Sequence, residues 1–393
     1  MKSRKSLVIS TFYGINDDNL LPDDLSEFLN RHNYQTYVLL LDWNRKYTKK
    51  IYRKNGIIVF CYTSQILKKA APIKWLFASL FSYFFYRKCL KKKYDLLICY
   101  SPLITSWFYV LKFWKIKKKA LFYFDFFPIH NYQIGKINKK LVPLLYEIEH
   151  FLVSKFDFVG CMSQANINFF LKYFKVKNHN IVKEVPLWKA TNSPPSLYNG
   201  SDKFKEKYNI ESNDLLLLFG GQLEVGRGIE FLCSFADEIQ KNGINATVIV
   251  LGDGSLRSIV VEHEKVCSKM KYLGKVSKSE YQYYLNISDI GLAITVSQAQ
   301  VPTYPSKIIE YAFYGLPILA NIESYSDVGT IIHDHNAGFV SHAGDLSQFV
   351  NDLVKLIPYQ QRMLISENSK KLFLERHEIN HALALFKKFI DEE

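Results

Sequence analysis

Two basic side chains fall where a helix accepts a cation least readily. In LLLLFGGQLEVGRGIEFL (215–232) an apolar strand runs into Gly220-Gly221, then a short loop, then a helix opening at Gly228 with Arg227 at its N-terminus. In YPSKIIEYAFYGLPILA (304–320) Pro305 suits the first turn of a helix, Ser306 or Tyr304 lies near its cap, and Lys307 falls in the first turn. The positive pole of a helix disfavours a cation unless an anion is held there. Glycines at a strand-to-helix turn let the backbone approach a phosphate, and the free N–H groups of the helix supply donors to it. Glu310 follows Lys307 at i+3 on the same face, and its carboxylate can accept hydrogen bonds from two neighbouring hydroxyls. That set is the chemistry of gripping a diphosphate and an adjacent ribose diol. The plainer readings are a structural turn with a solvated arginine and an exposed Lys–Glu helix pair.

A second glycine turn, Gly252-Asp253-Gly254, sits between a strand and a helix, but it does not match the dinucleotide pattern GxGxxG. In the first half, YFDFFPIHNY (123–132) follows a strand and should lie at its carboxyl end, where open α/β sheets bind ligands. Asp125 there could accept a proton or orient a hydroxyl, and His130 could bind either substrate. A helix cap and a surface histidine are the alternatives. The loop 13–20, with Gly14, follows the first strand. The sequence shows no DxD, HExxH, Walker A or GxSxG motif and no Cys/His cluster at metal-ligand spacing, so no metal is expected.

The elements needed to position these residues alternate regularly. Strand-like runs at 7–10, 37–40, 57–60, 96–100, 120–124 and 156–160 are separated by helical periodicity near 22–31, 65–93, 103–116, 138–154 and 163–175. The second half repeats the scheme, with strands at 215–219, 247–251, 271–273, 290–294 and 317–320. Its helices are expected near 228–241, 255–267, 278–285, 305–314 and 344–356. This predicts two doubly wound α/β domains with parallel sheets. ATNSPPSLYNG (190–200) reads as the linker between them. The expected division is 1–187, 188–372, and a helical segment 373–393 that caps the second domain or crosses back to the first.

The 393 residues, 48% hydrophobic and 22% charged, suit a folded two-domain chain and exclude a disordered or collagenous one. The net charge of +14 is uneven: 32 Lys and Arg face 12 Asp and Glu in 1–190, against 19 and 25 in 191–393. A basic first half implies an anionic partner. The six cysteines lack CxxC spacing and read as buried thiols of a reducing compartment. The N-terminal apolar run is too short for a signal peptide, and the longest uncharged stretch, 96–111, is too short to span a bilayer. A cytoplasmic, non-spanning protein is expected.

With these motifs in hand, the second half resembles the nucleotide-sugar domain of GT-B glycosyltransferases, particularly glycosyltransferase family 4. The resemblance rests on Gly221-Gln222…Arg227-Gly228, on Gly252-Asp253-Gly254, and on Pro305-Ser306-Lys307…Glu310-Tyr311-Ala312…Gly315…Pro317. It implies a GT-B fold of two Rossmann-like domains facing an interdomain cleft. Gly221, Gln222, Arg227, Gly252, Ser306 and Lys307 would then hold the donor diphosphate and Glu310 its ribose. The D-x-x-P loop carrying Asp125 would face the cleft. The family's basic residue in the glycine turn is Gln222 here, and the first carboxylate of its E-x7-E is replaced by Pro302. The diphosphate of such enzymes needs no bound metal, because helix dipoles and basic side chains replace it.

One feature of the first half stands outside the motif. IKWLFASLFSYFFYRKCLKKK (73–93) places Ile73, Leu76, Phe77, Leu80, Phe81 and Phe84 on one helical face, followed by five cations; 107–119 is a second aromatic segment, ending in Lys117-Lys118-Lys119. Cationic helices rich in aromatics bind membrane interfaces, although a core helix with solvated lysines uses the same residues. The implied activity is a hexosyltransferase on the inner face of the plasma membrane. It moves a sugar from a nucleoside-diphosphate donor to a lipid-linked or polysaccharide acceptor, with retention by resemblance and without nucleic acid. A nucleotide-sugar epimerase of GT-B build and a catalytically degenerate GT-B binding module are the alternatives.

Overall fold

The computed structural model describes residues 4–10, 20–42, 49–54, 57–63, 71–90, 93–113, 115–190, 200–296 and 300–392. The loop 13–19 with Gly14, and most of the expected linker, lie outside them. The chain forms two compact units. The first comprises Met1–Ala190 with Ala382–Glu393, and the second Thr191–His381.

Among the described residues the first unit has eight strands: β1 (Arg4–Ser10), β2 (Tyr34–Asp42), β3 (Lys49–Lys54), β4 (Ile57–Thr63), β5 (Leu96–Tyr100), β6 (Lys118–Phe122), β7 (Phe158–Cys161) and β8 (Val182–Glu184). Their order is β3-β4-β2-β1-β5-β6-β7-β8. All neighbours are parallel except β3 and β4, which form an antiparallel edge pair. The second unit has β9 (Leu215–Gly220), β10 (Ala246–Leu251), β11 (Met270–Gly274), β12 (Ile290–Ile294), β13 (Ile318–Ile322) and β14 (Gly338–His342). Its order is β11-β10-β9-β12-β13-β14, all parallel. Counted from β9, this is the 3-2-1-4-5-6 arrangement of a Rossmann sheet, whose strand order reverses between β9 and β12. Helices covering both faces explain why ATVIVL in β10 and LLICY in β5 are almost wholly apolar and buried at every position, with the Thr247 hydroxyl satisfied by Asp214.

Several expected boundaries shift. The division falls after Ala190, because Trp188 is fully buried against Phe122 and Phe124 in the first unit. The expected helical segment 373–393 is broken. A helix Tyr359–Leu372 passes into a π turn Phe373–His377, Glu378 is extended, and helices Ile379–Ala382 and Ala384–Asp391 follow. The break accompanies burial of His377, whose Nε2 lies 2.9 Å from the Tyr304 hydroxyl. Beyond it, Phe386 packs on Phe122 and Phe158, and Phe389 on Phe158. Arg4 and Lys118 donate to the Ile390 carbonyl at 3.1 and 3.2 Å, and Lys118 to that of Phe389 at 2.7 Å, so cations satisfy the open carbonyls of this helix end.

Candidate functional site

The segments that follow the carboxyl ends of β9, β10 and β12 carry the expected donor-binding residues. Gly221 follows β9 and donates its N–H to the Leu251 carbonyl at 3.0 Å; Gly252 follows β10 and donates to Gly274 at 2.8 Å. The two turns interlock. A Cβ on Gly252, at φ +138°, would stand 1.7 Å from the Gly221 oxygen. Gly228 caps the helix Ile229–Lys241 in left-handed geometry, and a Cβ there would strike Ile294 Cγ2 at 2.3 Å. These glycines therefore bring three strand ends together as well as exposing backbone.

The helix Lys307–Tyr314 is bolted over the point where strand order reverses. The Tyr311 hydroxyl donates to the Leu218 carbonyl of β9 at 2.9 Å and lies 3.2 Å from that of Leu292 in β12. Its ring occupies the space that a side chain at Gly291 would need. The helix begins one residue past Ser306, so Pro305 precedes the cap rather than opening the first turn, and the exposed Ser306 makes no capping hydrogen bond.

Lys307 thereby turns inward. Its Nζ lies 3.6 Å from the centroid of the Phe219 ring and 3.6 Å from where a Cβ of Gly221 would stand. Burial pushes its pKa down to about 7, and the nearby positive charge of Arg227 pushes the same way. Arg227 itself is exposed, as are Gly221 and Gln222. Two cations thus meet around a glycine-lined surface, and an anion between them would relieve both burial and repulsion. Glu310, half-buried one turn along, adds its charge to the effect of burial in raising the Tyr314 hydroxyl to about 12.

Sequence reasoning missed Glu323. It follows β13, is 3% exposed, and accepts hydrogen bonds from Thr303 N at 3.0 Å and Thr303 Oγ1 at 2.6 Å. Its own N–H donates to Thr295 Oγ1 at 2.9 Å. This carboxylate fixes the segment leading into Pro305-Ser306-Lys307, beside the position where Pro302 stands. No motif announces it, because its partner is twenty residues away.

Asp125 and His130 belong to the first unit. The Ser101 hydroxyl accepts from the N–H groups of Phe124 and Asp125, each at 3.0 Å, and Tyr123 donates to Phe127 at 3.1 Å. Glu149, fully buried, accepts from Leu103 and Ile104 N–H at 2.7 and 3.2 Å, and burial pushes it up to about 8. These contacts shape the loop that presents Asp125, which is exposed, and His130, half-buried in the helix Ile129–Gln133.

On the helix Ala71–Tyr86, Ser79, Ser82 and Tyr86 face inward, and Phe77, Phe81, Phe84 and Phe85 are exposed, with exposed Arg87, Lys88 and Lys93 following. The side chains of 71–76, 78, 91 and 92 lie outside the described residues, as does Trp114. The expected Lys117-Lys118-Lys119 tail is largely spent within the unit. Lys118 holds the carbonyls of 389 and 390, and Lys119 pairs with Asp157 at 3.0 Å. Among the described residues, no helix is long and apolar enough to cross a membrane.

Residues 214–358, within the second unit, match the family described as "Glycosyl transferases group 1". No curated protein sequence matches the chain. Among solved structures, it is similar to Anabaena Alr3699/HepE in complex with UDP-glucose, at 15% identity and a TM-score of 0.72 over 98% of this chain and 99% of that one. It is also similar to WaaG, a glycosyltransferase involved in lipopolysaccharide biosynthesis, at 13% identity and a TM-score of 0.68 over 99% and 100%. A third is an E. coli trehalose-6-phosphate protein bound with UDP-2-fluoro glucose, at 11% and 0.72 over 99% of each chain. The shared architecture is GT-B, with two Rossmann-like domains.

Proposed function

We propose that this chain is a metal-independent hexosyltransferase. It moves a sugar from a nucleoside-diphosphate donor to a lipid-linked or polysaccharide acceptor at the cytoplasmic face of the plasma membrane, with retention. The observation that carries the donor assignment is Lys307, a cation drawn under a glycine turn and depressed to about 7 with Arg227 as its like-charged neighbour. A diphosphate resolves that conflict, and UDP-glucose and UDP-2-fluoro glucose in the similar structures favour a donor of this kind. Glu310 binds the ribose hydroxyls, and Gly221, Gln222, Gly252 and Ser306 lie against the phosphates. Asp125 and His130 orient the acceptor in the first unit.

In the transfer, the bond from the anomeric carbon to the diphosphate oxygen breaks. Its electron pair stays on the diphosphate, where Arg227 and Lys307 stabilise the charge. The acceptor oxygen bonds to that carbon on the face the diphosphate leaves, and its proton passes to the departing diphosphate. The exposed Phe77, Phe81, Phe84 and Phe85, with Arg87 and Lys88 beside them, support docking on an anionic bilayer.

A thermal-shift panel of nucleoside-diphosphate sugars tests the reading. One base should raise the unfolding midpoint of wild type and leave Lys307→Ala nearly unmoved. No shift with any nucleotide sugar, or equal shifts in both proteins, would remove the donor site.

A further inference from the structure

Asp237 lies on the helix Ile229–Lys241, and His263 near the end of the helix Arg257–Glu264. Cys267 stands one turn beyond His263, with its N–H donating to the His263 carbonyl at 2.9 Å. One carboxylate oxygen, one ring nitrogen and the thiol of these three residues all lie within 4.8 Å of one another. The thiol is buried at 1% exposure, while the Asp237 side chain opens to solvent at 55%.

The contact between His263 and Asp237 is unusual. His263 Nε2 sits 3.0 Å from Asp237 Oδ1, yet it is buried and has no hydrogen-bond partner. An ordinary His–Asp pair aligns an N–H with a carboxylate lone pair. Here the two heteroatoms approach without that alignment, and the Cys267 thiol also hydrogen-bonds to Asp237, so all three groups stand against one another in one small space. With bonds of about 2.0–2.1 Å to nitrogen and oxygen, the edges of a tetrahedral zinc site are about 3.3 Å, and those to sulfur are somewhat longer. The His263–Asp237 approach of 3.0 Å is a few tenths of an ångström short of that edge, and the thiol lies within 4.8 Å of both.

We infer that Asp237, His263 and Cys267 form a binding site for a zinc-like divalent cation, with solvent in the fourth position on the Asp237 side. Thiolate and imidazole together select Zn²⁺ over Mg²⁺ or Ca²⁺, which take oxygen ligands. The site joins the two helices that follow the two glycine turns. Asp237 lies nine residues past Gly228, about 13 Å along the helix at 1.5 Å per residue, so the cation is a structural staple away from the donor phosphates. Its existence does not depend on the donor assignment.

The test uses the full chain, stripped by chelator in a thiol-preserving reductant and titrated with Co²⁺, then with Zn²⁺. One Co²⁺ per chain should give a thiolate-to-metal charge-transfer band and the visible bands of a tetrahedral site, both erased by Zn²⁺. His263→Ala and Cys267→Ser should weaken Zn²⁺ binding by about 100-fold or more. Because the buried Cys267 is a packing residue, the exposed Asp237→Asn supplies a second variant. It should weaken binding by about tenfold or more while the metal-free unfolding midpoint stays at the wild-type value. Cys89→Ser, which removes an exposed thiol, should keep the full spectrum. A wild type without the charge-transfer band would overturn the site. So would wild-type affinity in both His263→Ala and Asp237→Asn, or loss of the signal in Cys89→Ser.

Discussion

Donor affinity should fall steeply as pH rises from 7 to 8.5, with Lys307 as the titrating group. Burial and Arg227 hold this lysine at about 7 instead of its ordinary 10.5, which corresponds to about 5 kcal/mol of disfavour for the ammonium. A bound diphosphate supplies the opposite charge and returns the ammonium to favour, so binding takes up a proton wherever free Lys307 is neutral. At pH 7 about half of the free protein carries the proton, and at pH 8.5 about 3%. The apparent affinity should therefore drop by about 15-fold across that interval. A nucleoside-diphosphate sugar is the right probe, since a diphosphate esterified at both ends has no proton to lose in this window. The same burial gives unliganded protein a stability that rises with pH between about 7 and 10.5, because the unfolded chain holds the extra proton there. Calorimetry at both pH values on wild type and Lys307→Arg checks the reasoning. Arginine keeps its charge throughout, so its profile should be flat. A flat wild-type profile, or a parallel decline in wild type and Lys307→Arg, would refute the assignment of the titration to Lys307.

Gly252→Ala should cost at least about 4 kcal/mol, since its Cβ has no room beside the Gly221 oxygen. The unfolding midpoint of the second unit should fall by about 8 °C or more, and a change within about 2 °C would show that the two turns can separate freely. Transfer should persist in EDTA, because cationic side chains face the diphosphate. Loss restored by Mg²⁺ would place a metal on the phosphates, whereas loss restored by Zn²⁺ alone would point to the Asp237–His263–Cys267 staple. Wild type should pellet with phosphatidylglycerol vesicles at low salt and less so at physiological ionic strength, where the Debye length is about 8 Å. Phe81→Ser/Phe84→Ser/Phe85→Ser alters exposed positions and should pellet far less; equal pelleting of both proteins would exclude this face as the contact.

Much of this architecture could be read from the chain because parallel strands buried on both faces are continuous apolar runs, as in β5, β9 and β10. The charged KKIYRK of β3 escaped because an edge strand needs no such run. The short β8 and the partly exposed β14 carry weak patterns for the same reason. The apolar spacing from Leu372 to Phe389 gives no sign of the break at Glu378, which accompanies His377 lying against Tyr304 across seventy residues. Lys307 and Arg227 were legible because a cation at a helix N-terminus is anomalous in any context. Glu323 and the Asp237–His263–Cys267 group were not, since each acquires its role from a partner on another element. Lys118 and Lys119 read as free basic charge only until their backbone and Asp157 partners are seen.

The helix Ala384–Asp391 completes the first unit with residues made only after the whole of Thr191–His381. During synthesis, β6 and β7 must therefore wait through nearly two hundred residues with Phe122 and Phe158 lacking the cover of Phe386. Domains usually fold in the order they are made, but here the second Rossmann unit can close before the first is finished. A fragment ending at Ala190 would keep its strands and expose an aromatic face. It would also leave Lys118 and Arg4 without the carbonyls that hold them. Dissecting this chain into its two halves thus requires carrying residues 382–393 along with the first.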